Sequence, residues 1–423
     1  MEKLNYQINI ESPVCIAGNK AHELSPYADY VLSDDSREIL YIDQKKLEKT
    51  LSQPDHRHLI DAYTEALTQV DNNRSRLELK SFLNNHLPDA DLFRIKIRNY
   101  GMEPQNRLPV TSIIKTASRP FIPGSSLKGA IRTALLYDWL QNTGEGEQEL
   151  THTYDLVKRS YRTYQELIPL RIRKKRRERL EGWEFKQLKD GERKLREDIT
   201  YMLNEQRLFG KINSQDFSPD SQHIQISDSD FFAKDDFGVF NAARVRLQSM
   251  NQFRGRSQAK NQIPQPREAL LKGKETSFSL VLRTEKMRNS AFDKLKTNTR
   301  DELLSLIRQF TKATIGLELY YLESANEMQT MYQNALVRFY EDLYDRSEEG
   351  ETFLRIGMGK TYFDNSLGIA LMNYAEDKHR EGEKAFIEFR EVVLGVHPEK
   401  FFFPVTRTIS TNPVMPFGWI KIT

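Results

Sequence analysis

Apolar positions alternate with period two over residues 4 to 10 (Leu4, Tyr6, Ile8, Ile10), which predicts a half-buried strand. Pro13 and the pair Gly18, Asn19 follow as turn signals. Residues 30–32 and 39–42 predict two short strands around the turn at 33–36, and Asp43 is placed to cap a helix over 44–52. Residues 60–98 read as helical and polar. Further on, Leu127, Ile131, Ala134 and Leu135 fall on one helical face, with Ser125 or Ser126 as its cap and residues 142–146 as its stop. Residues 150–208 predict long helices rich in Arg, Lys and Glu. Short strands are expected at 224–226 and 277–282, and Asp228 and Asp230 sit in the turn after the first of them. Residues 300–346 read as helix, 353–361 as a glycine-rich loop, 367–374 as helix, and 417–422 as a closing strand. Strands and helices interleave without regular βα alternation, so the expected class is α+β with antiparallel sheets. No short-period repeat is present.

Composition narrows this picture. A chain of 423 residues fits two or three domains at roughly 150 residues each. Hydrophobic residues at 38% and aromatics at 10% place it among globular chains. The net charge of +3 does not by itself point to nucleic acid. Cys15 is the one cysteine, which excludes an internal disulfide and a zinc site built on several thiolates. It reads as a small buried hydrophobe. The first ten residues lack the apolar core of a signal peptide, and no run approaches the ~20 apolar residues of a membrane span. The expectation is a cytoplasmic protein with no membrane partner.

Candidate chemistry is concentrated in three places. Gly124, Ser125, Ser126 and Lys128 open a predicted helix, with Arg132 one turn further on. Free backbone N–H groups, hydroxyls and two cations in that pattern suit a phosphodiester backbone; an ordinary capped helix start is the alternative. Arg355, Gly357, Gly359 and Lys360 form a glycine-rich loop. It is not a P-loop, because Leu354 stands where that motif needs its first glycine. The loop is either a nest that lets RNA approach or a tight structural turn. Residues 241–274 hold eight Lys or Arg against one Glu, with Arg244, Arg246, Arg254, Arg256 and Lys260 interleaved with Gln, Asn and Ser. That segment suits single-stranded RNA or a solvated hairpin. The basic run at 171–179 lies within the long helices and is open to three readings: a solvated face, a protein contact, or RNA.

Catalytic patterns are poor, and no catalytic residue, metal site or cofactor is expected. His56 and His58 lack nearby Cys ligands. Asp228 and Asp230 read as turn or cap residues, with metal binding as the alternative. No esterase or zincin motif occurs.

Taken together, these segments resemble the RAMP superfamily of RNA-binding CRISPR subunits, and within it the fifth Csm subunit family of type III-A effector complexes. The resemblance is carried by residues 12–18 and 23–30, the helix opening 121–136, the glycine loop 353–360, and the closing motifs 404–407 (with Arg407) and 416–419. It implies two ferredoxin-like (RRM-like) domains, 1–285 and 286–423. The first would carry a helical insertion at about 145–210 and a thumb-like basic hairpin at about 241–274. It also implies a non-enzymatic RNA-binding subunit that caps the end of the complex holding the guide (crRNA) 3′ region and contributes to guide maturation. Its implied partners are guide RNA, target RNA, a Csm backbone subunit and other Csm subunits, with a trimming nuclease as a further candidate. Gly124, Ser125, Ser126, Lys128 and Arg132 would face guide RNA. The alternatives are a metal-independent guide-processing ribonuclease, with His22 as its best candidate base, and a target-cutting backbone subunit.

Overall fold

The computed structural model describes residues 3–18, 23–71, 79–88, 90–102, 108–202, 220–247, 262–287, 292–297, 299–323, 325, 328–361, 364, 367–394 and 406–423. Strand β1 (Lys3–Ile10) buries Tyr6, Ile8 and Ile10, as the alternation predicts. After β2 (Glu23–Leu24), β3 (Tyr30–Leu32) and β4 (Glu38–Ile42) form the expected hairpin. Asp43 caps α1 (Gln44–Leu51), its Oδ1 accepting from the N–H groups of Lys45 and Lys46 at 3.1 and 3.2 Å. Helices α2 (His58–Asp71) and α3 (Leu79–His86) follow. The helical reading of 60–98 fails beyond them. Residues 93–100 form β5 (Phe93–Tyr100), paired antiparallel with β4. Ile95 and Ile97 face the main core while Arg94, Lys96 and Arg98 are exposed, a period of two within a segment whose polarity suggested a helix.

Short strands β6 (Val110–Thr111), β7 (Lys115–Thr116) and β8 (Arg119–Pro120) lead into three helices: α4 (Gly124–Asn142), α5 (Gly144–Lys175) and α6 (Gly182–Met202). Thr143 breaks α4 from α5 in extended geometry, and its hydroxyl accepts from the Gly146 N–H at 3.0 Å. Gly146 packs against α4; a Cβ there would lie 2.0 Å from the Trp139 carbonyl oxygen. Then come β9 (Ile224–Ile226), β10 (Phe237–Phe240), β11 (Ala242–Arg246), β12 (Gln262–Pro264), β13 (Arg267–Leu270) and β14 (Glu275–Leu282). Helices α7 (Lys294–Thr297), α8 (Thr299–Glu323) and α9 (Thr330–Glu348) precede β15 (Thr352–Arg355). Helices α10 (Gly368–His379) and α11 (Gly382–Leu394), then β16 (Thr406–Thr411), β17 (Val414–Pro416) and β18 (Trp419–Ile422), complete the order.

The strands assemble into a five-stranded antiparallel sheet, β15-β18-β1-β14-β9, and a seven-stranded mixed sheet, β2-β6-β13-β10-β5-β4-β3. Strands β12-β11-β16-β17 form a separate four-stranded sheet, and β7-β8 a two-stranded one. In the five-stranded sheet, α4 lies between β1 and β9 in sequence, and α8 follows β14. The order β1, α4, β9, β14, α8, β15 is consistent with a βαββαβ, ferredoxin-like unit, with β18 added between β15 and β1. The sheet takes strands from both sides of residue 285, so the division expected there does not separate two sheets. One core runs through β1, β14, β18, α4 and α8, and a smaller one sits under α1–α3 around Leu47, Leu59 and Leu83. Among the described residues no helix is long and apolar enough to cross a membrane.

Candidate nucleic-acid interface

The start of α4 is held by a strap of chain. The Ile122 N–H donates to the Ser229 hydroxyl, and the Ser229 N–H to the Ile122 carbonyl, both at 2.9 Å. The Phe232 N–H bonds the Pro120 carbonyl at 2.9 Å. Asp228 then caps the helix, its Oδ1 accepting from the Gly124 N–H at 2.8 Å. The cap therefore comes from 104 residues away and not from Ser125 or Ser126, which corrects the sequence expectation. Asp230 accepts from the Ser277 hydroxyl, so both aspartates hold structure. Gly124 is buried, and a Cβ on it would lie 2.4 Å from the Ile226 carbonyl oxygen. It is a packing glycine, and its N–H is already taken by Asp228, which corrects its expected place as a free donor.

Solvent meets the next turn instead. Ser125 and Gly129 are exposed, and Ser126, Lys128 and Arg132 are half-buried. Partial burial, and then the neighbouring Arg132, push the Lys128 amine below its usual pKa. Lys128 has no carboxylate partner among the described residues. A desolvated amine beside a second cation is a site that gains from a bound anion. Nothing lies within 4 Å of the Cβ position of Gly129, so a bare stretch of helix is left beside the two cations. Bordering the helix start, Phe231 is 46% exposed. The Arg119 guanidinium lies 5.2 Å from its ring centre and the Phe121 ring meets it edge-on. Backbone carbonyls of Phe231 and Phe232 hold that guanidinium in place. The surface thus combines an exposed ring, a fixed guanidinium, a hydroxyl and an amine, the set that tracks a single-stranded backbone. Sequence reasoning missed Arg119, Phe121 and Phe231 as a unit, although aromatics beside a basic helix start were the available signal.

Two further basic strands line the sheets. On β11, Arg244 is exposed and Arg246 half-buried, opposite Thr408 and Thr406 of β16. Cross-strand pairing puts these cations and hydroxyls on one face. Arg254, Arg256 and Lys260 lie outside the described residues, as does the rest of 248–261 within the thumb-like segment. On β5, Arg94, Lys96 and Arg98 form a second exposed row.

Arg355 and Arg407, two cations expected at an RNA surface, are not surface groups. Arg355 and Arg407 are 4% exposed and converge on Glu318 of α8, at 3.0 and 2.6 Å. Arg355 also meets Asp364 at 3.3 Å and the Phe417 carbonyl at 3.3 Å. Burial alone would raise the Glu318 pKa, but Arg407 and Arg355 reverse this and hold its carboxyl below the usual range. Guanidiniums so enclosed cannot reach a phosphate. Gly357 has φ +63°, and a Cβ there would lie 2.5 Å from the Cys15 carbonyl oxygen. Gly359 has φ +100°, and a Cβ there would lie 2.7 Å from Phe417. The glycines let the loop lock onto the segments around Cys15 and Phe417, with the Met358 N–H bonding the Cys15 carbonyl at 2.8 Å. This is the structural turn. Lys360 is half-buried beside it, its amine pushed below the usual value by burial. Cys15 is fully buried, and burial pushes its thiol up to about 12.

No group of three or more His, Cys, Asp or Glu able to hold a metal occurs among the described residues. His56 contacts the Thr50 carbonyl at 3.2 Å, and His22 lies outside the described residues.

The family model of the RAMP superfamily matches residues 11–363. The chain belongs to the RAMP superfamily. No curated protein sequence matches it. Among solved structures, this RAMP chain is similar to a chain of a cryo-EM Csm–crRNA–target RNA ternary complex of a type III-A CRISPR-Cas system. The TM-score is 0.64 at 19% identity, covering 99% of this chain and 100% of that one. It is also similar to the crystal structure of Csm5 from T. onnurineus, with a TM-score of 0.58 at 20% identity over 98% and 99% of the two chains. At these identities the likeness speaks for a shared fold over nearly the full length of each protein.

Proposed function

We propose that this RAMP protein is an RNA-binding, non-enzymatic subunit of a type III-A CRISPR effector complex. It caps the end that holds the guide RNA 3′ region and contributes to guide maturation. The observation that carries the RNA-binding reading is the exposed turn of α4. There Lys128 and Arg132 stand together beside a bare Gly129, and Phe231 and Arg119 border the helix start. The full-length likeness to a Csm-complex chain and to Csm5 supports the choice of complex and position.

In this reading cations, hydroxyls and a ring engage phosphates and base faces, and so position the guide without reading its sequence. Pairing between guide and target supplies specificity. The basic β11 strand, with Arg244 and Arg246, leads into the thumb-like segment that would reach toward the guide–target duplex. Neighbouring partners would be a Csm backbone subunit and other Csm subunits, with a trimming nuclease docking during maturation.

A guide carrying a photoreactive group at its 3′ end tests this in the assembled complex. The expected crosslink is to this subunit, within peptides containing residues 119–132 or 231. A crosslink only to backbone subunits would refute the placement.

A further inference from the structure

The helical hairpin of α5 and α6 carries a charge surplus that the function above leaves unused. Residues 171–189 hold nine Lys or Arg against three Glu, a surplus of six, whereas the whole chain carries +3. The hairpin is well braced. The Ser160 hydroxyl bonds Asp198 at 2.7 Å in the buried seam, and Gly191 admits the Leu167 side chain. Near the tip, Arg171 pairs with Glu192, and Arg173 with Glu184 and Glu178. The nearby acids are thus spent on inward or bracing cations. Lys174, Lys175, Arg177, Arg179, Lys186 and Lys189 are exposed and have no carboxylate partner among the described residues.

Large apolar groups are exposed among these cations. Trp183 is 63% exposed, Phe185 54% and Ile172 46%. Helical spacing places Lys186 beside Trp183 and Lys189 beside Phe185, each ring with a cation one turn on. The Trp183 indole N–H donates to the Glu181 carboxylate, which fixes the ring against the hairpin turn. With 32 residues, α5 carries this tip about 48 Å from its own start at ~1.5 Å per residue.

We propose that the hairpin tip is a second site for single-stranded RNA, which binds the unpaired tail of the guide. Uncompensated cations supply the phosphate contacts, and Trp183 and Phe185 supply stacking faces that accept any base. An acidic protein would satisfy the cations as well, but exposed rings each set beside a lysine favour a strand of bases and phosphates. The assignment to the guide tail rests on the RNA-binding reading above; the hairpin surface is independent of α4.

The test uses the full-length protein and a labelled single-stranded oligouridine. Lys174→Gln with Lys175→Gln and Lys186→Gln should lower the magnitude of the salt slope of binding by about 2, at ~0.7 per lost contact to a single strand. Trp183→Ala should weaken binding about tenfold. Trp139 and Trp419 are buried, so an RNA-induced change in exposed tryptophan emission reports Trp183 and should vanish in Trp183→Phe. The parallel variant, Lys128→Gln with Arg132→Gln, separates the two sites. If it weakens binding while the tip variants change neither affinity nor emission, the tip proposal falls and the α4 reading stands. If neither set weakens binding, both fall. In assembled complexes, a photoreactive guide tail should crosslink to residues 171–189. Crosslinking from the target tail instead, or tip variants that bind RNA normally but fail to assemble, would overturn the proposal.

Discussion

Replacing Lys128 and Arg132 by glutamine removes the two cations at the exposed turn of α4. Single-stranded RNA releases about 0.7 counterions per phosphate contact, so losing two contacts should make the salt slope less negative by about 1.4. If the wild-type and variant binding lines meet near 1 M salt, the variant is weaker by about 65-fold at 50 mM and about tenfold at 200 mM. The gap therefore shrinks about sevenfold over that range. Fluorescence anisotropy with a labelled single-stranded RNA, repeated at four or more salt concentrations, measures both slope and gap. The fold should survive. Lys128 is partly desolvated and repelled by Arg132, so Lys128→Gln alone relieves a like-charge pair worth roughly 0.2–0.5 kcal/mol, and its thermal midpoint should not fall. A variant with full stability and an unchanged salt slope would refute the assignment of this turn to phosphate binding.

Gly129→Ala should stabilise the free protein by about 0.5–1 kcal/mol in urea unfolding, since nothing opposes the added methyl, and should weaken RNA binding because the bare backbone is lost. Gly359→Ala should cost about 1–3 kcal/mol, because the left-handed backbone and Phe417 both resist a side chain, while the folded fraction binds RNA normally. Glu318→Ala leaves Arg355 and Arg407 buried without their shared carboxylate and should cost about 3–5 kcal/mol. The depressed pKa of Glu318 sets a pH dependence. Its contribution is complete above the ordinary glutamate range near 4.5 and is lost as pH falls through the lower folded value. The stability gap between wild type and Glu318→Gln, read from urea midpoints, should be flat from pH 7 to about 5 and narrow below.

Local patterns were legible where the chemistry is local. The alternation of β1, the β3–β4 turn, the Asp43 cap and the long run of α4 follow from periodicity and turn residues a few positions apart. The segment that became β5 was lost because its many cations outweighed a plain two-residue alternation. Long-range features were hidden for a different reason. Arg355 and Arg407 carry the same letters whether they face solvent or Glu318, and only the fold decides. The glycines at 357 and 359 resemble an anion nest until Cys15 and Phe417 close over them. The cap of α4 and the partner of Arg119 come from residues 104 and 112 positions away, so neither could be read from the helix opening alone. The Lys128–Arg132 pair was legible because helical spacing fixes both residues on one face.

The capping account is tested most directly by assembling the effector complex with and without this subunit and mapping the 3′ ends of the bound guide. The account predicts longer or ragged guide ends in its absence, with target cleavage chemistry retained. Unchanged guide ends together with loss of a regular cleavage site would make the subunit a nuclease and contradict the account.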